Sequence, residues 1–496
     1  MVNRKILTVF GCALTHFTIG TMYCTGNIMP YVTSYIFLKD ESVTMASMTL
    51  VFYICFLTYS LSCQIFNIIQ IKYTPKKGIY AGAILYVIVV FAASACQNRI
   101  AVIIIYGILL GAASGTAYPA ALMIAINCFP ERKGLITGIV AGSFAVGAFV
   151  FNFVATAIVN PSNIKPYERT VSNGNKEKFF EKSIAENVPK MFLILGSIYT
   201  VLLTISLSLI QDINIKAQNK SANSISQLST INQENEESKK TNKEITKNSN
   251  HLKVDSDDAN FISSSQFSEF NIAIENLCVE ENIESEKKIE YKKATTFIMN
   301  PDIDFSVTDA FKTRQFHQVF WCFILSGTAG LFAVASFKTI GIKYGYDDTF
   351  LTVTGSLGSI LNGTMRPFWG MFFDRTSFKM VYLIILCTQI CICVTFPEVS
   401  KFKPAFLIWL VTLFVCSGGH FTLLAPTAVR IYSRVIGPKI YSFFIISMGL
   451  ASISVYFIQV YATVKLDPSI FFYILAGLSG CSLISTIFFS EILKAK

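Results

Sequence analysis

Charge is what this sequence has least of. Only 15% of its 496 residues are Asp, Glu, Lys or Arg, while 52% are apolar. A soluble domain carries about 25% charged residues, so a wholly water-facing exterior is excluded and an integral membrane protein is expected. Other absences narrow the chemistry. No Gly-x-x-x-x-Gly-Lys-Ser/Thr loop is present, which removes the common nucleotide-driven motors. Thirteen cysteines occur, but no Cys-x-x-Cys pair recurs at zinc spacing, and Cys12, Cys55, Cys63, Cys387, Cys391 and Cys393 sit inside apolar runs as packing residues. The net charge of +10 comes from scattered Lys and Arg, with no basic face interleaved with aromatics, so nucleic acid is not a partner. Nothing calls for a cofactor, a metal or an enzyme's catalytic set.

What is present is a series of long apolar runs. A bilayer crossing needs about 20 mostly apolar residues. On that rule the runs predict helices near 6–30, 44–70, 78–97, 100–127, 135–159 and 189–211. A second set follows near 316–340, 349–373, 380–397, 404–429, 440–461 and 469–490. The expected fold is therefore an all-α membrane protein of twelve transmembrane helices in two six-helix bundles. Arg4 and Lys5 precede the first run, which is too long for a signal-peptide core and lacks a small-residue cleavage pattern, so it is expected to be a span.

The break between the two sets differs in kind. Residues 212–314 are rich in Asn, Ser, Lys and Glu, and bury too little apolar surface to offset ordering entropy. The expected domains are thus 1–211, a mostly disordered tether at 212–314, and 315–496. With the N-terminus inside, the short inner segments carry fourteen Lys and Arg against six in the short outer loops. Cytoplasmic loops hold the excess of such residues, so both termini and the tether are expected in the cytoplasm. Asn219-Lys220-Ser221 in the tether is a glycosylation acceptor, and sugar on it would contradict that topology.

The halves also resemble each other. Thr18-Ile19-Gly20 has a counterpart in Thr328-Ala329-Gly330. Pro119 precedes a basic turn, Phe129-Pro130-Glu131-Arg132-Lys133-Gly134, much as Pro426 precedes Ile436-Gly437-Pro438-Lys439. Parallel six-helix repeats with a site between them are a recurring transporter plan. The stretch Gly363–Arg375 ends an apolar run with Arg366, Trp369 and Gly370, then places Asp374-Arg375 where the chain should leave the bilayer.

Six plus six helices with Gly370-Met371-Phe372-Phe373-Asp374-Arg375 resemble the major facilitator superfamily. Gly20-Thr21-Met22-Tyr23-Cys24-Thr25-Gly26-Asn27, Tyr118-Pro119 with the basic turn after it, and Gly437-Pro438-Lys439 are similar to its oxalate/formate antiporter and monocarboxylate transporter branch. The resemblance implies alternating access and a small organic anion, probed first as a monocarboxylate, with protons as a candidate co-substrate. Oxalate-type members hold carboxylates with basic residues in helices 8 and 11. Here helix 8 supplies Arg366 and helix 11 supplies none. Another small solute, an amino acid or a sugar, and a non-transporting nutrient sensor are the alternatives.

Ionisable residues inside a membrane are costly and mark function unless they reach an edge. No predicted span has an Asp or Glu in its middle. The candidates for substrate binding are His16, Tyr23, Asn27, Tyr118, Lys338, Asn362, Arg366 and His420. Packing competes as the role of each histidine, and for Lys338 the competing reading is snorkelling to the outer interface. His16, Gly20, Tyr23 and Asn27 follow i, i+4, i+7, i+11 and share one face of a regular helix. The candidates for gating are Arg132, Lys133, Trp369, Gly370, Asp374, Arg375 and Arg434, with Asp374 expected to pair with Arg132 or Arg434. Gly107/Gly111/Gly115 and Gly134/Gly138/Gly142 repeat every four residues and read as helix-packing seams.

Overall fold

In lipid, each backbone N–H and C=O must find a partner within its own segment, so apolar runs of this length become helices. The computed structural model shows this throughout. It describes residues 2–69, 74–129, 133–171, 176–211, 306–465 and 468–491. The tether expected at 212–314 falls almost wholly outside the described residues, as does the glycosylation acceptor.

The first half contains α1 (Val2–Ile19), α2 (Thr25–Phe37), α3 (Leu50–Ile69), α4 (Pro75–Ala93), α5 (Leu110–Cys128), α6 (Lys133–Val159) and α7 (Val188–Leu209). The second contains α8 (Arg314–Lys343), α9 (Asp348–Arg375), α10 (Phe378–Val399), α11 (Lys403–Lys465) and α12 (Pro468–Ile487). Residues 1–212 and 302–496 pack into one compact unit. Among the described residues, eleven helical segments are long and apolar enough to cross a membrane. The twelfth expected span, α9, has the length but carries Thr, Ser, Asn and Gly that it buries against neighbours. Its polarity suits a helix facing protein rather than lipid.

Among the described residues, three elements depart from a single regular α-helix, and in one of them a π-helical stretch, Ile103–Leu109, leads into α5. The first crossing joins α1 to α2 through a 3-10 turn, Gly20–Cys24. At the other end of the chain, α11 runs unbroken over 63 residues, about 95 Å at 1.5 Å per residue, three times a bilayer core. It doubles back: a Cβ on Gly437 would lie 2.6 Å from the Cα of Val429, an approach that a straight helix forbids at eight residues' separation. The Gly437-Pro438-Lys439 motif therefore marks the turn between two crossings, Lys403–Tyr432 and Lys439–Tyr461.

Large apolar side chains point outward on several spans, as with Ile88 (57% exposed) and Phe457 (65%), the surface a lipid belt would cover. Across the halves, α2 meets α8, α6 meets α9, and α3 meets the second crossing of α11. The α2–α8 approach is backbone to backbone, because a Cβ on Gly26 would sit 2.0 Å from the Val334 carbonyl oxygen.

Antiparallel spans gather the turns after α2, α6 and α8 on one face, here called distal. Val2 and residues 211, 306 and 491 lie at the opposite, terminal face. On the distal face a hairpin joins α6 to α7, with β1 (Tyr167–Thr170) antiparallel to β2 (Lys176–Phe179). Phe179 stacks on Phe37 at 4.0 Å, and these two share a small apolar cluster with Met45 and Val171. Two four-residue strands carry no periodic signal in the sequence, so this hairpin is visible only in the structure.

Candidate functional site

Two polar clusters lie between the halves. The central one is built around Arg366 of α9. Its Nη2 donates to Asn362 Oδ1 at 3.0 Å, one helical turn away. Asn362 is anchored in turn by donating Nδ2 to the Phe414 carbonyl at 2.7 Å. The guanidinium carbon lies 5.7 Å from the Phe421 ring centroid, while Nε has no hydrogen-bond partner. No carboxylate forms an ion pair with Arg366 among the described residues.

Side chains of the first half face this guanidinium. Tyr23, Tyr118 and His16 all lie within its electrostatic reach. The His16 ring packs on Tyr118 at 4.3 Å, and Tyr23 and Tyr118 both pack edge-on against Phe144. Phe56 bridges toward Phe421 at 5.7 Å. His16 Nδ1 contacts the Cys12 carbonyl at 3.2 Å. That contact assigns the proton to Nδ1 and leaves Nε2, which has no partner, as a bare acceptor. The result is one open guanidinium edge among aromatic rings, a geometry suited to a planar carboxylate.

The second cluster lies at the distal end and is closed on itself. Lys338 Nζ pairs with Asp348 Oδ1 at 2.6 Å, with the two side chains 0% and 1% exposed. Its other donors go to Asn27 Oδ1 at 2.9 Å and the Tyr31 hydroxyl at 2.7 Å. Tyr31 donates to Asp348 Oδ2, which also accepts from Asn160 Nδ2 at 2.8 Å. Asn27 Nδ2 donates to the Asn152 carbonyl and to Thr156 Oγ1, and Thr156 meets Thr352 at 2.9 Å.

A model of the Major Facilitator Superfamily matches residues 12–439. The chain belongs to that superfamily. It is similar to the apicoplast pyruvate carrier 1 of Toxoplasma gondii, 24% identical over 247 residues, covering 42% of this chain and 45% of the carrier. It is also similar to the oxalate:formate antiporter of Oxalobacter formigenes, 27% identical over 157 residues, covering 32% and 38%. The chain thus matches less than half the length of these curated relatives. Among solved structures, a D-xylose-proton symporter shares the fold with a TM-score of 0.61 at 11% identity, covering 98% of this chain and 97% of that one. The nucleoside transporter NupG does so at 0.55 and 12% identity, covering 98% of each.

Within this facilitator the expected site residues divide. His16, Tyr23, Tyr118, Asn362 and Arg366 come together. Asn27 leaves the helix 1 stripe for the distal cluster. It lies eleven residues, about 16 Å of rise, beyond His16, and the 3-10 turn at three residues per turn rotates the helix beyond it by about 100°. Lys338 does not snorkel. It is buried, and its three donors are already taken. Asp348 lies one residue before the span expected from 349; it is not mid-span, but α9 takes it into its first turn and buries it.

His420 is set apart from the central group. Its Nε2 meets Gln389 Oε1 at 3.1 Å, and its ring packs against Phe323 and Tyr382 within the second half. His420→Ala strands the Gln389 oxygen in a dry interior, a loss of about 1–3 kcal/mol. A lower melting temperature with unchanged uptake per folded molecule is expected, and reduced substrate affinity would return His420 to the site.

The gating candidates fare differently. Arg132 lies outside the described residues, as do the side chains of Lys133 and Arg434. Asp374 and Arg375 are exposed, and Asp374 forms no ion pair among the described residues. Trp369 is buried and donates to the Val415 carbonyl at 3.2 Å, which docks α9 on α11. Gly370 has room for a methyl group, its nearest neighbour being Thr422 Cγ2 at 3.8 Å.

Arg430 holds the α9–α10 turn instead. It donates to the Phe373 and Thr376 carbonyls and pairs with Glu491 at 3.7 Å. Glu491 also accepts from the Phe378 amide at 2.6 Å. Arg430 lies one helical turn before Arg434, and that spacing is the only sequence hint to its place beside the α9–α10 turn.

Proposed function

We propose that this facilitator moves small organic anions, monocarboxylates first among them, by alternating access, with Arg366 as the anion's anchor. The observation that carries this reading is a guanidinium between the halves with an unpartnered Nε and no described carboxylate to neutralise it. Arg366 is half-buried, and its buried Nε is costly to leave unpartnered; a substrate carboxylate would supply both the acceptor and the missing charge. Tyr23 and Tyr118 would take the remaining carboxylate oxygens, and the surrounding rings would contact a short carbon chain. His16 is the proton carrier in this reading. Protonation at Nε2 would turn a bare acceptor into a donor facing the anion, which would couple proton and anion entry. A relative named as a pyruvate carrier and another named as an oxalate:formate antiporter agree with this class. The two halves act as the moving bodies joined by the 212–314 segment, with both chain ends in the cytoplasm.

The test is uptake of labelled lactate, pyruvate, formate and oxalate into proteoliposomes, with and without internal substrate and with and without a proton gradient. Uptake of at least one monocarboxylate is expected. Stimulation by internal substrate alone means exchange, and stimulation by an inward proton gradient supports His16. Failure of all four, in a preparation that melts cooperatively, sinks the anion reading and leaves an amino acid, a sugar or a sensing role.

A further inference from the structure

We propose that Tyr31 is the gating residue of the distal face, the side chain whose hydroxyl ties the two halves together when that face is closed. This rests on the transport reading. The ion pair itself cannot be the gate, because Lys338 and Asp348 both belong to the second half, on α8 and α9 joined by a short turn. They travel together when the halves part. Tyr31 belongs to the first half and touches both charges, accepting from Lys338 Nζ at 2.7 Å and donating to Asp348 Oδ2. Its ring also lies 3.9 Å from Lys338 Nζ. Closing the distal face therefore delivers one hydroxyl into a ready-made pair of charges, and opening it removes that hydroxyl.

The hairpin roofs this contact. Phe180, directly after β2, packs on the Tyr31 ring at 4.7 Å, and its amide donates to Ser34 Oγ at 3.0 Å. Lys178 reaches across to the second half and donates to the Ile342 carbonyl at 3.0 Å, at the C-terminal end of α8. Asn160 Nδ2, the Thr156–Thr352 contact, the Thr349 amide on Asn163 Oδ1, and Asn27 Oδ1, which also accepts from Lys338, add lesser ties between the halves around the same spot. Water excluded by this roof makes each bond to a charge stronger than it would be at a surface. The charged groups of the cluster are paired within it.

Tyr31→Phe separates gating from folding. It keeps the ring, its packing on Phe180 and the Lys338–Asp348 pair, and deletes only the hydroxyl's two bonds across the halves. Spin labels on Ser183→Cys and Lys401→Cys, both exposed on the distal face and on opposite halves, would report the gap by electron–electron resonance. Cys278 and the exposed Cys387, Cys391 and Cys481 are replaced by Ser in this background. Losing a hydrogen bond to charged groups is expected to raise the long-distance population relative to the short one by about tenfold or more. Thr156→Val, which cuts one of the lesser ties, should shift it in the same direction by less. A distance distribution unchanged in both variants overturns the proposal, and so does a lower melting temperature with no change in distance. No solute enters this measurement, so absent uptake would count against the transport reading alone, while unchanged distances would count against the gate alone.

Discussion

Asp348→Asn alone is expected to destabilise the protein more than Asp348→Asn combined with Lys338→Met. The single variant leaves the Lys338 ammonium 0% exposed, with Asn27 and Tyr31 as its remaining partners and no countercharge. Breaking a buried pair by removing one member costs about 3–5 kcal/mol, most of it the penalty of the charge left behind, whereas replacing both members is often close to neutral. Lys338→Met keeps a chain of similar length, and in the double variant the amide oxygen that replaces the Asp348 carboxylate would still accept from Tyr31 and Asn160. Thermal unfolding in one detergent, run on both single variants and the double, gives the coupling energy directly. A double variant as unstable as the sum of the singles would mean that the two charges are not coupled. The cluster would then be no more than two independently hydrogen-bonded side chains.

How far the sequence could be read follows from which signals are local. The spans were legible because lipid forces every apolar run of this length into a helix, and the expected ends of most runs fall within a few residues of the observed ones. Arg366, Tyr23, Tyr118, His16 and Asn362 were legible because polar groups are rare in such spans. What could not be read was which helix faces which. His420 and His16 look alike in sequence, yet one packs on Gln389 inside a half and the other faces the space between halves. Tyr31 and Asp348 were missed for a related reason. Each sits close to a predicted helix boundary, where polar residues are ordinary, and only tertiary closure under the hairpin makes them buried. Asn27 was misplaced because the 3-10 turn breaks the period on which the shared face depended.

Arg366→Gln is expected to abolish anion uptake while leaving the fold intact. Among the described residues it has no ion pair to break, and its contacts are a hydrogen bond to Asn362, the side chains of Tyr23 and Tyr118, and a ring face at Phe421. Removing it should therefore change the melting temperature little. Its loss to binding is larger. Truncating one partner of a buried, hydrogen-bonded charge pair costs about 2–5 kcal/mol, a drop in apparent affinity of at least about 25-fold. Arg366→Lys sharpens the argument, because it keeps the charge and loses the planar fork that binds two carboxylate oxygens at once. If the anchor works by geometry, Lys should recover only a small part of the affinity. If it works by charge alone, Lys should recover most of it. Retention of full monocarboxylate uptake in Arg366→Gln would remove the anchor from this site, and would also leave unexplained why a chain so poor in charge holds one guanidinium with an open edge between its halves.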